Sequence, residues 1–234
     1  YEINIGDWSS DVCSSDLITV ARVEIDGTNA NTPSGLFAGI GVVLTGATTN
    51  TLSITDVYVH DLTTTTPTLG LTGIVFGAAA DGTINATLNR VTVSNLSAAD
   101  GGVNGLNMIV GTFSNGSPGT VNATLNNITI DDIHSDTGLA FGLGTTGMVT
   151  GGTSLIDIAM TNATVTGVTG ATAVTESSAF KLVGGAGQVS DSMTTNLELK
   201  NVLVAGNSTN GAPSNCSLRN RNRLAVQSTT PSEQ

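Results

Sequence analysis

The chain has 234 residues, of which 11% are charged, 3% are aromatic and 39% are hydrophobic. Eighteen acidic residues against seven basic ones give a net charge of −11, which excludes the basic surface that nucleic-acid binding needs. The low charge and the apolar content argue against a disordered chain. Since no apolar run reaches the roughly 18 residues of a membrane helix, we expect no membrane insertion by this segment. The composition predicts one folded domain or a short stack of repeats.

The first 17 residues are excluded from the fold prediction. The string DWSSDVCSSDL at residues 7–17 is the translation, in one frame, of a widely used short-read sequencing adapter. We therefore predict that residues 1–17 are adapter-derived or artefactual, which also removes Trp8 and Cys13 from the folded body. The other cysteine, Cys216, lies near the C-terminus, so the body has none. We expect the chain to be a fragment of a longer protein.

An eleven-residue pattern occurs six times in the body of the chain. The copies begin at Ile18, Leu52, Ala86, Ala123, Ile158 and Leu197, so successive steps are 34, 34, 37, 35 and 39 residues. Apolar residues fall mostly at the first, third, sixth, eighth and eleventh places of each copy. A spacing of two indicates a β-strand with one buried face, and the step of three indicates a corner between two strands that face one interior.

The corners and the segments between copies complete a coil. Corner pairs such as Thr55-Asp56 and Asn126-Asn127 favour a turn because Asn and Asp tolerate left-handed backbone. Between copies, segments rich in Gly and apolar residues predict a third strand, and each contains one phenylalanine that we expect to join an internal stack. These segments are 35–46, 70–77, 105–113, 138–144 and 179–185, with Phe37, Phe76, Phe113, Phe141 and Phe180.

Three short strands per coil predict an all-β fold. We predict a right-handed parallel β-helix, that is a β-solenoid, with about six coils of about 35 residues over residues 18–212. The alternative, a sandwich of antiparallel hairpins, predicts turns every 8–12 residues and no fixed 35-residue register. In residues 213–234 the hydrophobic alternation stops and Arg219, Arg221 and Arg223 cluster. We predict a polar, basic tail there that is disordered or frameshifted.

The body resembles a known family of proteins. The TLNNITI-type corner at 124–130 and the Gly-Leu or Gly-Ile strands resemble right-handed parallel β-helix proteins of the pectin-lyase-like superfamily. The resemblance covers residues 18–207. In its Thr-, Asn- and Gly-rich and nearly lysine-free composition, the chain is similar to secreted or surface-displayed bacterial β-helix proteins, including adhesin passenger domains. It implies the fold, and either a scaffold that holds loops away from a cell or a polysaccharide-cleaving enzyme.

Acidic residues at the second corner of the coils are the candidate metal ligands. They are Asp26, Asp61, Asp131 and Asp132. Calcium prefers six to eight oxygen ligands, commonly from several carboxylates and carbonyls. The adjacent Asp131 and Asp132 allow a weak surface Ca²⁺ site. Neighbouring copies carry Ser, Asn, Thr and Gly at these places, so solvated turn residues are the alternative.

Two further columns of residues are candidates for chemistry. His60, Ser94 and Asp131 share the ninth place of adjacent copies, which superficially suggests a Ser-His-Asp triad. A working triad places the histidine between the serine and the acid, whereas here the serine lies between the other two. Arg22, Asp56 and Arg90 share a corner column in the same way. We expect those three charges to neutralise one another on the surface, and we predict no catalytic residue.

The functional prediction follows from the repeat, the acidic cysteine-free body and the lack of an evident acid–base pair. We predict a non-catalytic extracellular β-helix scaffold, a fragment of a surface-displayed or secreted adhesin-like protein, with glycans or cell-surface molecules as partners. No cofactor is predicted apart from the weak Ca²⁺ candidate. The alternatives are a polysaccharide lyase or glycosidase whose catalytic coils lie outside this fragment, and a purely structural spacer. Whether the whole protein is an enzyme stays open.

Overall fold

The computed structural model is built from β-strands. It describes residues 3–4, 17–28, 38–64, 70–99, 101–111, 117–149, 152–171, 177–182, 185–186, 192–209, 212–214 and 224–230. The strands are β1 (Ile3–Asn4), β2 (Leu17–Asp26), β3 (Ala38–Thr45), β4 (Thr49–Thr64), β5 (Leu71–Ala79), β6 (Gly82–Ala98), β7 (Val103–Val110), β8 (Gly119–Ser135), β9 (Ala140–Val149), β10 (Thr153–Thr169), β11 (Ser178–Leu182), β12 (Gly185–Ala186), β13 (Ser192–Ala205), β14 (Asn207–Thr209), β15 (Ala212–Ser214) and β16 (Leu224–Thr230). The predicted all-β fold is confirmed.

Successive strands alternate between two parallel sheets. Strands β2, β4, β6, β8, β10 and β13 pair in that order to form one sheet, which we call the long-strand sheet. Strands β1, β3, β5, β7, β9 and β11 form the other, the short-strand sheet. Each coil contributes one strand to each sheet and then stacks on the coil before it. This arrangement is the predicted β-solenoid.

The register of the long-strand sheet matches the alignment of the six sequence copies. The first residue of each copy is paired with the first residue of the next copy. These residues are, in order, Ile18, Leu52, Ala86, Ala123, Ile158 and Leu197. The copies are therefore coils in register, as the repeat predicts. The structure has about four complete turns, slightly fewer than the predicted six, because the first and last copies form the ends of the stack.

The second to fifth copies are each a single strand bent at two corners. In β4 the bends occur at Asp56 and Asp61, whose φ angles are 55° and 56°. The corner was predicted to contain two residues, but only one of them is left-handed, and its neighbour Thr55 stays paired with the next coil. One left-handed residue is enough because it shifts the alternation of side chains by one place, so both flanks face the interior.

The core runs through the whole stack as one hydrophobic cluster. It extends from Val20 in the first coil to Val204 in the last. Within β4, Leu52 and Ile54 before the corner and Val59 after it are all fully buried, which confirms the predicted apolar places. One coil cannot enclose these side chains, so their burial depends on the coils above and below.

The predicted phenylalanine stack is wrong for the three phenylalanines that the structure describes. Phe76, Phe141 and Phe180 occupy three different register columns of the short-strand sheet. In a parallel stack only residues of the same column lie above one another, and the Gly-rich segments place their aromatic residue at different positions along the strand. Phe37 and Phe113 lie outside the described residues.

The C-terminal segment contributes a strand. Residues 224–230, within the tail predicted to be disordered or frameshifted, form β16, which pairs antiparallel with β13. The last parallel strand of a solenoid exposes a row of backbone donors and acceptors, and β16 satisfies that row in β13. The three arginines of the tail and Cys216 lie outside the described residues, as do residues 5–16 at the other end.

An asparagine ladder lines the first corner of the later coils. Asn201 donates to the Oδ1 of Asn162 at 2.7 Å, and Asn162 donates to the Oδ1 of Asn126 at 3.2 Å. Asn127 donates to the Oδ1 of Asn89 at 3.2 Å. Asn127, Asn162 and Asn201 all have φ angles of 53–54°. Asparagine therefore serves twice, because it accepts the left-handed backbone and links neighbouring coils.

Removing a central core side chain tests the dependence of the stack on its interior. Leu88→Ala should lower the free energy of unfolding by about 2–5 kcal/mol, since Leu88 is fully buried between two neighbouring coils. Urea denaturation followed by circular dichroism measures the change. The control is Thr87→Ala, which alters the exposed neighbour and should change stability by less than about 0.5 kcal/mol. Equal effects of the two substitutions would contradict the assignment of the core face.

Substitutions at Asn162 separate the backbone and side-chain roles of the ladder. Asn162→Gly removes its two hydrogen bonds and keeps a residue suited to a φ of 53°. Asn162→Ala removes the same bonds and adds steric strain. We expect the alanine variant to be less stable than the glycine variant by roughly 1–2 kcal/mol in the same urea assay. An alanine variant as stable as the glycine variant would refute the left-handed corner.

Candidate functional site

A cluster of titratable side chains lies at the second corner of the first two coils. Glu24 and Asp26 come from β2, and Tyr58, His60 and Asp61 come from β4. The parallel register places Asp26 opposite His60 and Glu24 opposite Tyr58. We call these five residues the His60 cluster. Its composition, with one imidazole among three carboxylates, offers both acid–base and metal-ligating groups.

A glycine allows the two coils to approach at this point. Gly27 follows Asp26, and its backbone N–H donates to the carbonyl of His60 at 3.0 Å. A Cβ added to Gly27 would clash with the backbone carbonyl of Asp61. Only glycine fits such a contact without moving the backbone. The close approach keeps the carboxyl of Asp26 beside the His60 ring.

The imidazole of His60 is largely buried and both of its nitrogens face carboxylates. Its side chain is only 11% exposed. The Nδ1 atom lies 2.6 Å from the Oδ2 of Asp61 and 3.9 Å from the Oδ1 of Asp26. The Nε2 atom lies 3.2 Å from the Oε1 of Glu24. The ring thus bridges two coils, because Nδ1 is hydrogen-bonded to Asp61 of its own coil and Nε2 to Glu24 of the first coil.

Five further contacts hold the cluster in place. The rings of Tyr58 and His60 stack with centroids 4.0 Å apart and planes at 21°. The backbone N–H of Thr28 donates to Asp26 Oδ1 at 2.8 Å, and its hydroxyl donates to the same atom at 2.5 Å. That hydroxyl also lies 3.3 Å from Asp61 Oδ2, and the amide of Asn95 in the third coil donates to Asp61 Oδ1. The carboxylates are therefore oriented before any ligand arrives.

These contacts shift the pKa values of the cluster. Burial of the ring lowers the pKa of His60, but hydrogen bonds with Asp61 and Glu24 and the charge of Asp26 outweigh burial, so the pKa lies above its usual 6.5. The hydrogen bond with His60 is the main reason that the pKa of Asp61 is lowered. Hydrogen bonds from Thr28 lower the pKa of Asp26. The shifts favour a protonated ring between ionised carboxylates.

The calcium candidates Asp131 and Asp132 lie two coils away from the His60 cluster. Both are exposed, and Asp131 accepts a hydrogen bond from the Thr166 hydroxyl at 2.5 Å. Asp132 is the left-handed residue of its corner, with a φ of 54°. The Ca²⁺ site at this pair stays a prediction. Among the described residues, the group that brings three metal-ligating side chains together is Asp26, His60 and Asp61.

The column of His60, Ser94 and Asp131 forms as the register predicts. The hydroxyl of Ser94 donates to the Tyr58 hydroxyl at 3.3 Å, while His60 bonds to its own neighbour Asp61. These contacts show no serine–imidazole pair at this column. The Ser94 hydroxyl is thus directed at Tyr58 in the neighbouring coil.

The charged corner column also forms. The guanidinium of Arg90 binds the carboxylate of Asp56 with two nitrogens, Nη2 at 2.8 Å from Oδ2 and Nε on Oδ1. The hydrogen bond from Arg90 is the main cause of the lowered pKa of Asp56, and the positive charge of Arg22 lowers it further. Both partners of the pair are well exposed. Such a pair aligns two coils and contributes little to stability.

A shallow cavity of about 180 Å³ opens on the short-strand sheet. Asn104, Phe141, Gly144, Thr146 and Lys181 line it, together with Thr145. The Nζ of Lys181 lies 4.5 Å from the centre of the Phe141 ring. Amide, hydroxyl and ammonium groups therefore surround an aromatic ring. Phe141 itself is buried, so the groups that this cavity offers to a ligand are polar ones, which can hydrogen-bond to the hydroxyls of a sugar.

No family model, curated protein or solved structure matches the chain. In the part of the chain that the structure describes, no helix is long and apolar enough to cross a bilayer.

The raised pKa of His60 predicts how stability depends on pH. Because the pKa of His60 is higher in the folded than in the unfolded protein, its protonation stabilises the fold. This stabilisation is complete at pH values below the unfolded pKa of 6.5 and is lost as the pH rises through the folded pKa. The difference in free energy of unfolding between wild type and His60→Gln should therefore be larger at about pH 5.5 than at about pH 8.5.

Urea denaturation in EDTA at the two pH values measures this difference. His134→Gln removes the other of the two histidines, whose ring pairs with the exposed Asp136, and is the matched control. A difference that grows toward alkaline pH would contradict the ion pairs assigned to His60.

Proposed function

We propose that the chain is an extracellular β-solenoid scaffold, a segment of a secreted or surface-displayed adhesin-like protein. The observation that carries this proposal is the single hydrophobic cluster that runs from the first coil to the last. A stack with a continuous core is stiff along its axis, so it can hold surface groups at a fixed distance from an anchor. The resemblance to β-helix passenger domains supports the same function.

The surface chemistry supports an extracellular setting. The net charge of −11 keeps such a rod soluble, and the body from residue 18 to residue 212 contains no cysteine that needs a redox compartment. Its outward corners carry short Asn, Asp and Thr side chains, several of which bond to the next coil. Short side chains that are held in ladders present a regular polar surface.

The cavity on the short-strand sheet offers polar groups that suit a glycan. Asn104, Thr146 and Lys181 supply donors and acceptors there. Such groups recognise sugars through hydrogen bonds to the sugar hydroxyls. We infer that the scaffold binds glycans at this cavity.

Binding and turnover measurements on the full chain test the proposal. Fluorescently labelled chain is applied to a glycan array and to cells, and the same glycans are incubated with the chain and assayed for cleavage products. We expect saturable binding without product, and binding should weaken about tenfold in Asn104→Ala because one hydrogen-bonded contact is lost. Asn122→Ala, which alters the long-strand sheet where Asn122 bonds Asn85, is the control.

Two outcomes would overturn parts of this proposal. Release of new sugar ends would favour the alternative, a carbohydrate-active β-helix enzyme. Absence of binding to every glycan and cell type would favour a structural spacer. Sequencing of the source locus beyond both ends adds an independent test, because a secretion signal and a surface anchor should flank the coils.

A further inference from the structure

We propose that Asp26, His60 and Asp61 form a binding site for one Zn²⁺ ion that ties the first coil to the second. The three residues each offer one ligand atom, and these atoms lie within 4.8 Å of one another. Asp26 belongs to β2, whereas His60 and Asp61 belong to β4. An ion bound to all three would therefore cross-link two coils. The site is independent of glycan binding, because it lies on the other sheet.

The distances between the ligand atoms fit a small tetrahedral ion. With metal–ligand bonds of about 2.0–2.2 Å, neighbouring ligand atoms of tetrahedral zinc lie roughly 3.3–3.6 Å apart. His60 Nδ1 is 2.6 Å from Asp61 Oδ2 and 3.9 Å from Asp26 Oδ1. These values bracket the required spacing, so rotation of the exposed Asp26 carboxylate and of the partly buried Asp61 carboxylate would complete the site. The hydroxyl of Thr28, near both carboxylates, marks where a fourth ligand or water can lie.

The Nε2 atom of His60 gives a second argument for a metal site, which a group of carboxylates alone would lack. Its Nε2 faces Glu24 Oε1 at 3.2 Å. A metal-binding histidine characteristically donates its second N–H to a carboxylate, which fixes the tautomer and directs the other nitrogen to the ion. The ring is also largely buried and stacked on Tyr58, so its direction is set by packing. Asn95 similarly holds Asp61 through Oδ1 and leaves Oδ2 toward the site.

The charge of the cluster favours a divalent cation. Three carboxylates around a neutral imidazole, the form of His60 that binds an ion once its Nδ1 proton has been released, sum to a charge of about −3 within one corner of two coils. An imidazole ligand favours zinc and similar transition ions over Ca²⁺, which requires six to eight oxygen atoms. The equivalent places of the third coil are Ser94 and Asn95, so the charged cluster does not continue into that coil.

The cross-link would act on a strand of this chain whose side chains are poorly enclosed. Strand β2 pairs with β4 along nine of its residues. Its apolar residues Ile18, Val23 and Ile25 are only partly buried. An ion between β2 and β4 would therefore stabilise the least enclosed of the repeated long strands.

Metal titration of the full chain tests the site. All proteins carry Cys13→Ser and Cys216→Ser, because thiolates bind zinc themselves. After EDTA treatment and removal of the chelator, Zn²⁺ is titrated by calorimetry, and the optical spectrum of Co²⁺ reports the coordination geometry. We expect about one ion per chain, tetrahedral Co²⁺ absorption, and a higher melting temperature with zinc.

The variants are chosen to keep the fold. Asp26→Asn retains an oxygen that accepts from Thr28, and Asp61→Asn suits the left-handed corner. Each should weaken zinc affinity at least about 100-fold and abolish the zinc-dependent rise in melting temperature, while the circular dichroism spectrum is unchanged. Glu24→Gln, which acts only through the His60 ring, should weaken affinity about tenfold.

The matched controls alter similar residues elsewhere. His134→Ala removes the other histidine, and Asp131→Asn with Asp132→Asn removes an adjacent acidic pair. These variants should bind zinc like the parent. The proposal is overturned if the parent binds no stoichiometric zinc, if Asp26→Asn and Asp61→Asn bind it as tightly as the parent, or if the controls lose binding to the same extent. Tighter binding of Ca²⁺ than of Zn²⁺ at this site would overturn it too.

Discussion

Parallel pairing of each coil with the next, without a shift in register, is the constraint on which the rest of this structure depends. Backbone hydrogen bonds fix which residues of neighbouring coils lie above one another, so every position of the repeat becomes a column along the axis. A slip of one residue would turn the apolar columns toward water. The burial of Ile54, Leu88 and Leu125, which lie above one another in successive coils, shows that these coils obey one register.

The two kinds of column tolerate different residues. An interior column accepts Val, Ile, Leu, Met or Ala, since each only has to fill space between two similar neighbours. A corner column requires a left-handed residue, and Asp56, Arg90 and Asn127 all meet that requirement with φ angles near 55°. Because the corner side chains point outward, charge can vary there at little cost. Chemistry can therefore arise at the corners without disturbing the core.

The repeat made the fold predictable, and it made only part of the site predictable. The alignment of six copies gave the register, the buried places and the pairing of Asp26 with His60. It did not give the contact between Glu24 and His60, which runs diagonally between neighbouring columns and depends on side-chain torsions. It also did not show that Gly27 permits close approach, since a single glycine among 29 carries no distinct signal. The prediction of a phenylalanine stack failed because each Gly-rich segment contains one phenylalanine but places it at a different position along the strand. Only residues in the same register column can stack.

The ends of a solenoid are its weak points, because an end coil has a neighbour on only one side. At the C-terminal end, β16 covers the edge of β13 with antiparallel hydrogen bonds. At the other end of the long-strand sheet, β2 is the edge strand, and its apolar side chains are less enclosed than those of any inner coil that the structure describes. Polar contacts between β2 and β4 are concentrated at the His60 cluster, where the interior contributes least. The cluster thus joins β2 to β4 through charged side chains, in addition to the backbone pairing of the two strands.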